Sequence, residues 1–213
     1  MDTAVKTRPV KKSAAVKERQ DLRAWIAQLR VAGEVQDITG AEREKEIGGI
    51  VDIYQRKVGN KAVLFDEVPG HPRGHRILAN ILTSIRRINI TLGLSPDASA
   101  IDLVHYWRRY MKEARAIAPA TVKNGPLLDN VHTGNDIDIF KVPVPRWHEH
   151  DGGYYIGTGD MVIMRDPDSG WINYGAYRVQ AQQPNVATVS HSRLPPAACA
   201  HTPFTSGTPA ASS

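Results

Sequence analysis

Apolar positions in the first half of the chain alternate between helical and strand-like spacing. Residues 20–32 carry Leu22, Trp25, Ile26 and Leu29 at i, i+3, i+4 and i+7, which predicts a helix that ends near Gly33. The same criteria predict strands at 34–39, 61–68 and 76–82, and helices at 41–58, 84–92 and 98–115. Residues 20–118 are therefore predicted to form a mixed α/β domain.

Two adjacent glycines interrupt the predicted helix at 41–58. Each glycine weakens a helix interior by about 1 kcal/mol relative to alanine. The helix nevertheless carries a full apolar face, which includes Ile47, Ile50 and Val51. Gly48 and Gly49 therefore predict that another part of the chain packs closely against this helix.

After Pro119 the chain changes to short extended segments that are bounded by Gly and Pro. Extended segments are predicted at 136–147, 154–165, 171–181 and 185–189. The sequence DPDSG between the second and third of them predicts a tight turn with glycine at its end. Short strands on tight turns predict a barrel or sandwich in residues 119–189.

Charge is concentrated at the start of the chain. The formal net charge is +5, and residues 1–19 hold six basic residues against two acidic ones. This composition predicts a disordered basic leader, with nucleic-acid binding by the leader as an alternative. No apolar run reaches the roughly 18 residues of a membrane span. The single cysteine, Cys199, excludes an intramolecular disulfide and a Cys-rich zinc site, so the sequence predicts a soluble, cytoplasmic protein.

Low complexity marks the last segment, residues 190–213. It contains no Asp, Glu or Lys, and its large apolar residues are Leu194 and Phe204. Such a composition cannot bury enough apolar surface to offset the entropy of ordering, so a disordered tail is predicted. His191 and Cys199 are consequently not predicted to form a nucleophilic site, because the tail offers no scaffold to hold them.

The segment HEHDGGYYIGTGDMVIMRDPDSGWINYGAYRVQ, residues 148–180, resembles the UbiD-type carboxy-lyases, which are decarboxylases that use prenylated FMN. Several spaced motifs carry the resemblance in one order: DGG, the Asp-Pro turn, the Trp-x-Asn pair and GAYR. It extends over about residues 20–189. The resemblance implies an α+β fold, in which an N-terminal mixed α/β domain precedes the start of a split, flavin-reductase-like β-barrel.

Site residues follow from this resemblance. Asn173 matches an asparagine that binds a divalent metal, usually Mn²⁺, which bridges to the flavin phosphate. Arg178 matches a catalytic arginine beside the substrate carboxylate and the flavin, and the resemblance implies that Ala176 and Tyr177 line the cofactor. The Trp171 carbonyl matches a contributor to a K⁺ site. Thr158 matches a residue of the substrate pocket.

The chemistry of these residue types agrees with the implied roles. An amide oxygen is a suitable ligand for a hard cation, and an arginine fork meets a carboxylate through two parallel hydrogen bonds. Asn173 and Arg178 are, however, five residues apart, and an odd spacing places side chains on opposite faces of a regular strand. A single site that contains both predicts a bulge or twist at Gly175.

The resemblance implies reversible, non-oxidative decarboxylation of an aromatic or α,β-unsaturated acid. A flavin prenyltransferase would supply the cofactor, and the full-length relatives would be homo-oligomers. The family's remaining metal ligands, a histidine and a glutamate, fall later in the family pattern. We therefore expect a truncated chain that is inactive by itself, with a non-catalytic flavin-binding remnant as the alternative.

Overall fold

A computed structural model of the chain describes residues 21–118 and 120–190. These residues form four α-helices: α1 Leu22–Val31, α2 Glu46–Gln55, α3 Ile85–Thr91 and α4 Ala100–Glu113. The same ranges contain six strands: β1 Val35–Thr39, β2 Ala62–Asp66, β3 Ile77–Ala79, β4 Tyr154–Arg165, β5 Ile172–Gln183 and β6 Val186–Ser190. Within these residues no helix has the length and hydropathy to cross a membrane. The predicted leader at 1–19 lies outside the described residues, as does the predicted tail at 190–213 except for Ser190, which is the last residue of β6.

Two compact units make up the described chain. The first comprises the described residues up to 37 together with 51–64 and 78–122, and the second comprises 38–50, 65–77 and the described residues from 123 onward. Each unit is thus assembled from stretches that are separate in sequence. The domain limits at 118 and 189 stay predictions.

A three-stranded sheet in the order β1-β2-β3 contains a strand that is buried along most of its length. Four consecutive residues of β2, Ala62 to Phe65, are buried, with Val63 and Phe65 completely inaccessible. A continuous apolar run of this length fits a central strand that is covered on both faces. The helices and this sheet confirm the predicted mixed α/β fold.

Helix α1 begins at a side-chain cap and buries part of the predicted stripe. The carboxylate of Asp21 accepts a hydrogen bond from Ala24 N, which satisfies one of the free amides at the helix start. Ile26 and Leu29 are buried, whereas Leu22 at the first position is exposed. Trp25 Nε1 donates to Thr91 Oγ1 at 3.0 Å and so links α1 to α3.

Arg87 of α3 is completely buried in the first unit. Its guanidinium donates to Glu34 Oε2 at 2.8 Å, to the Asn60 carbonyl at 2.6 Å and to Thr83 Oγ1 at 2.7 Å. Glu34 also accepts from Arg86 Nε at 3.1 Å, so two arginines compensate one carboxylate. A buried charge is tolerated only with such partners.

Close packing against α2 is confirmed at one of its two glycines. A Cβ atom on Gly48 would lie 2.7 Å from the Trp147 carbonyl carbon and 2.9 Å from Trp147 Cα, and closer still to the carbonyl oxygen. A Cβ atom on Gly49 would meet nothing within 4 Å. Of the two glycines of α2, only Gly48 is therefore required by close packing.

The prediction that residues 136–147 are extended is wrong for part of that range. Short 3₁₀ turns occur at Gly134–Asp136 and Ile139–Lys141, after an earlier one at Pro126–Leu128. The side chain of Asp138 accepts a hydrogen bond from Phe140 N at 2.9 Å and stabilises the last of these turns. Side-chain capping by aspartate competes here with the extended conformation.

The second sheet is antiparallel, in the order β4-β5-β6. The turn between β4 and β5 is formed as predicted. Asp166 Oδ1 accepts from the amides of Asp168 and Ser169 at 2.9 and 2.8 Å, and Gly170 adopts a positive φ of 71°. These amide hydrogen bonds lower the pKa of Asp166. The turn sets the register of the hairpin, on which the implied site residues lie.

Candidate functional site

All six site residues implied by the sequence belong to the β4–β5 hairpin or its turn. Thr158 lies in β4 and Trp171 directly precedes β5. The other four, Asn173, Ala176, Tyr177 and Arg178, lie in β5. The hairpin therefore decides which of these side chains can meet.

The hairpin is irregular in β4 and not at Gly175. Pairing is regular from Arg165 opposite Ile172 to Asp160 opposite Tyr177. The register then shifts twice, between Tyr155 and Gly157 and between Gly157 and Asp160. The predicted irregularity at Gly175 is wrong, because the extra residues are inserted in the partner strand, between Tyr155 and Asp160.

Alternation along β5 separates the site residues into two sets. Asn173 and Tyr177 are partly buried, whereas Ala176 and Arg178 are exposed. Successive side chains of a regular strand point to opposite faces. In the described chain Asn173 and Arg178 therefore lie on opposite faces of the sheet, and a single site that both line is not formed.

Gly175 makes room for an aromatic ring. A Cβ atom at this position would lie 2.7 Å from Tyr177 Cε2 and 3.0 Å from Tyr177 Oη, so the ring of Tyr177 covers Gly175. Asn173 Nδ2 donates a long hydrogen bond of 3.4 Å to Tyr177 Oη. Gly175 lies between Asn173 and Tyr177 on the same face of β5. Because it has no side chain, Tyr177 can reach over it to Asn173.

Asn173 offers a single cation ligand. Its Nδ2 atom is directed to Tyr177, and among the described residues Oδ1 accepts no hydrogen bond. An amide oxygen suits a hard divalent cation. Residues 21–118 and 120–190 contain no group of three or more His, Cys, Asp or Glu side chains that could hold a metal. Asn173 therefore fits the implied metal as one ligand of a set.

Trp171 presents its backbone carbonyl at the base of the turn. This oxygen accepts a hydrogen bond from Asp166 N at 2.8 Å. A carbonyl oxygen has two lone pairs, so one remains for a second donor or a cation. The indole ring itself is exposed. The geometry is compatible with the implied contribution of this carbonyl to a K⁺ site.

Arg178 and Thr158 lie across the strand pair from each other. Gly157 pairs with Val179 and Asp160 with Tyr177, so Thr158 and Gly159 together oppose Arg178. Both Thr158 and Arg178 are exposed, and Arg178 forms no ion pair with a described residue. This part of the hairpin offers a permanently charged fork beside a hydroxyl, which is suited to bind a carboxylate.

Asp160 is a notable acidic group on this hairpin that the sequence did not single out as a site residue. Its carboxylate covers Gly157, where a Cβ atom would lie 2.5 Å from Asp160 Cγ. Oδ2 is buried and has no hydrogen-bond partner among the described residues. Burial raises the pKa of this carboxyl. One feature of the sequence could have identified Asp160 as a site residue. It is a charged residue at an inward position of an otherwise alternating strand, opposite Tyr177.

Asp160→Asn is expected to stabilise the protein at neutral pH. Because the folded pKa is raised, the charged form costs stability, and this cost grows as the pH rises above the ordinary Asp range. The variant should raise Tm by about 2 °C at pH 7, and the difference should vanish below about pH 4. Thermal denaturation followed by circular dichroism at both pH values measures the effect. The exposed Asp168→Asn serves as control, and an equal gain from both variants would contradict the assignment.

The side chain of Asp151 organises the loop WHEHD, residues 147–151. Asp151 Oδ2 accepts hydrogen bonds from Trp147 N at 3.0 Å and from His148 N at 2.8 Å. His148 Nδ1 lies 4.0 Å from the same oxygen. The carboxylate thus closes the turn before Gly152 and leads the chain into β4.

Two family models match the chain. The model of the 3-octaprenyl-4-hydroxybenzoate carboxy-lyase N-terminal domain matches residues 26–107, and that of the carboxy-lyase Rift-related domain matches residues 120–203. The second match passes the limit at 189 that the sequence predicted for the resemblance. Residues 190–203, including His191, therefore fall within the family region, which corrects that expectation.

Named decarboxylases are among the similar proteins. The pyrrole-2-carboxylic acid decarboxylase of Pseudomonas aeruginosa is 31% identical over 168 residues, which cover 75% of this chain and 33% of the relative. The phenolic acid decarboxylase of Streptomyces sp. (strain D7) is 30% identical over 167 residues, covering 75% of this chain and 35% of that protein. The chain thus spans about a third of the length of these curated relatives.

Solved structures of the same class share the fold. Vanillic acid decarboxylase of Sedimentibacter hydroxybenzoicus in its closed form gives a TM-score of 0.73 at 24% identity, over 82% of this chain and 37% of the other. The UbiD-class enzyme HmfF of Pelotomaculum thermopropionicum in complex with prFMN gives 0.66 at 21% identity, over 82% and 39%. Together with the two family models, these similarities show that the chain belongs to the UbiD family of carboxy-lyases.

Proposed function

We propose that the chain contributes to a UbiD-type decarboxylase that removes the carboxylate of an aromatic or α,β-unsaturated acid without net oxidation. The observation that carries the proposal is the accessible pair of Arg178 and Thr158 on a hairpin within the Rift-related family region. Relatives named for pyrrole-2-carboxylic and phenolic acids support an aromatic acid as the substrate.

Prenylated FMN is the proposed cofactor, since HmfF is described in complex with prFMN. When bound, it supplies the electron sink for the loss of carbon dioxide. The amide oxygen of Asn173 would serve as one ligand of a Mn²⁺ ion at the flavin phosphate, and the Trp171 carbonyl as one ligand of K⁺. Ala176 and Tyr177 would lie along the flavin. A flavin prenyltransferase is the proposed source of the cofactor.

Arg178 would bind and orient the substrate carboxylate through two parallel hydrogen bonds, while Thr158 closes one side of the acid site. Asn173 lies on the other face of the same sheet, so its role is proposed separately from that of Arg178. Substitution of each residue is expected to impair a different property of the protein. Loss of Asn173 should weaken retention of flavin and metal, and loss of Arg178 should weaken binding of the acid.

Arg178→Ala is expected to weaken acid binding about tenfold or more, because a charge-assisted bidentate contact contributes about 1.5–3 kcal/mol. The full chain would be loaded with prenylated FMN and Mn²⁺ and titrated with pyrrole-2-carboxylate by calorimetry, with carbon dioxide release measured in parallel. Arg178→Lys keeps the positive charge but loses the planar fork. Its affinity for the acid should therefore lie between that of the parent chain and that of Arg178→Ala. Unchanged acid binding in Arg178→Ala would contradict the assignment.

A non-catalytic flavin-binding protein is the second candidate, and the observation behind it is that Asn173 and Arg178 lie on opposite faces of the sheet, so that the described residues do not bring them into one site. The same reconstitution separates the candidates. Retention of flavin without carbon dioxide release from any acid of a panel would favour the second candidate. Turnover that Asn173→Ala and Arg178→Ala both abolish would favour the decarboxylase.

A further inference from the structure

Two histidines join the loop between β2 and β3 to a short 3₁₀ turn of the second unit. His71 Nε2 lies 3.2 Å from the carbonyl oxygen of Phe140, and His75 Nδ1 lies 3.2 Å from that of Lys141. Both carbonyls belong to the 3₁₀ turn Ile139–Lys141, which is 66 to 69 residues away in sequence. The two imidazole rings therefore fasten this turn to the loop that carries them.

His71 differs from His75 in the number of ring nitrogens that face an acceptor. In addition to the contact of Nε2 with Phe140, His71 Nδ1 lies 3.1 Å from the carbonyl oxygen of Pro69. His75 contacts a carbonyl of the described chain through Nδ1 alone. A neutral imidazole carries one N–H and can donate to one of two carbonyls, whereas the imidazolium donates from both nitrogens. Both contacts of His71 are therefore satisfied only when its ring is protonated.

The fastened turn is also attached to the β4-β5-β6 sheet. Ile139 N donates to the carbonyl of Pro184, between β5 and β6, at 2.7 Å. Phe140 packs edge-on against Tyr154, the first residue of β4, with ring centroids 5.5 Å apart. The turn thus connects the sheet that carries the implied site residues to the loop that carries the histidines.

Charged side chains of both segments could compete with the carbonyls for His71. They are Asp66, Glu67, Arg73, His75 and Arg76 on or beside the loop, and Asp136, Asp138 and Lys141 on or beside the turn. Arg73 pairs with Glu67 at 3.2 Å, and Asp138 Oδ1 accepts from the amide of Phe140. His71 itself forms no ion pair with a described residue. The two carbonyls are therefore the acceptors that a proton on His71 serves.

From this geometry we propose that His71 fastens the turn Ile139–Lys141 in a proton-dependent manner. Charged His71 donates to Pro69 and Phe140 at once, and loss of the proton leaves one N–H for two carbonyls. Because the protonated form makes the additional contact, its contribution is present at low pH and falls as the pH rises. Histidine ordinarily changes charge between pH 5 and 8, so the turn should be held more firmly at the acidic end of that range. The proposal is independent of the decarboxylase assignment.

His71→Gln tests this attachment on the full chain, because the glutamine amide is a donor that does not titrate. The measured quantity is the hydrogen-exchange protection factor of the Ile139 amide, obtained by NMR at about pH 5.5 and about pH 8. Between these values the protection in the parent chain should fall about tenfold more than in His71→Gln, because hydrogen bonds from a charged group are the stronger ones. His75→Gln is the matched control: it keeps His71 and should show the same fall as the parent.

A fall confined to the proteins that keep His71 supports the proposal. An equal fall in His71→Gln and the parent overturns it, and so does a fall that His75→Gln abolishes. If His71→Gln does not fold, the parent chain decides through its ring protons. In ¹⁵N-edited spectra at about pH 5.5, His71 should show two slowly exchanging ring N–H protons and His75 at most one. A single such proton on His71 overturns the proposal.

Discussion

Gly48→Ala is expected to destabilise the protein by about 3 kcal/mol, because the new methyl group would enter the backbone of Trp147. A flexible side chain could rotate away, but a peptide group moves only if the chain on either side moves with it. Trp147 is hydrogen-bonded at its own amide to Asp151, which limits such movement. Urea denaturation followed by circular dichroism measures the loss.

Gly49→Ala is the matched control, one residue further along the same helix. Its Cβ atom would meet nothing within 4 Å, so the substitution should stabilise the protein by about 0.5–1 kcal/mol through the lower backbone entropy of alanine. The two neighbouring variants are thus expected to change the free energy of unfolding in opposite directions. Equal effects from both would show that Trp147 does not pack against position 48.

Arg87→Ala should cost about 3–5 kcal/mol of stability, the range observed when one partner of a buried ion pair is removed. The substitution leaves the Asn60 carbonyl and Thr83 without their guanidinium donor and leaves a cavity in the first unit. Glu34 keeps Arg86 as a partner, which prevents a larger loss. Chemical denaturation at neutral pH provides the measurement.

Arg86→Ala provides the contrast. Arg86 binds the same carboxylate as Arg87, but its side chain is 41% exposed. Exposed ion pairs contribute about 1 kcal/mol or less, so this variant should remain close to the parent in stability. An equal, small loss in the free energy of unfolding for both arginine variants would contradict a stabilising role of the buried Arg87.

Local patterns predicted most elements but not all of their limits. Helix α2 was predicted from residue 41 and begins at Glu46, because Lys45 adopts a positive φ of 66° and Glu44 forms a bridge with Arg146. That bridge joins positions about a hundred residues apart, which periodicity cannot reveal. The hairpin, by contrast, depends on its own turn, and its two strands were predicted closely.

The site illustrates the same limit. The sequence identified the hairpin and the residues that match the family, but it assigned the irregularity to Gly175, the glycine nearest to the residues in question. The structure inserts the extra residues near Gly157 and Gly159, and uses Gly175 to accommodate the ring of Tyr177. A bulge is a property of two paired strands, so a pattern read along one strand cannot locate it.

The way the two units are threaded also bears on the order in which they can form during synthesis. All stretches of the first unit have left the ribosome once residue 122 has emerged, whereas the second still lacks the β4–β5–β6 hairpins. Its early stretch 38–50 contains Gly48, which packs against the backbone of Trp147, a residue made much later. Closing so long a loop costs entropy before any contact rewards it, so the second unit is expected to form after the first.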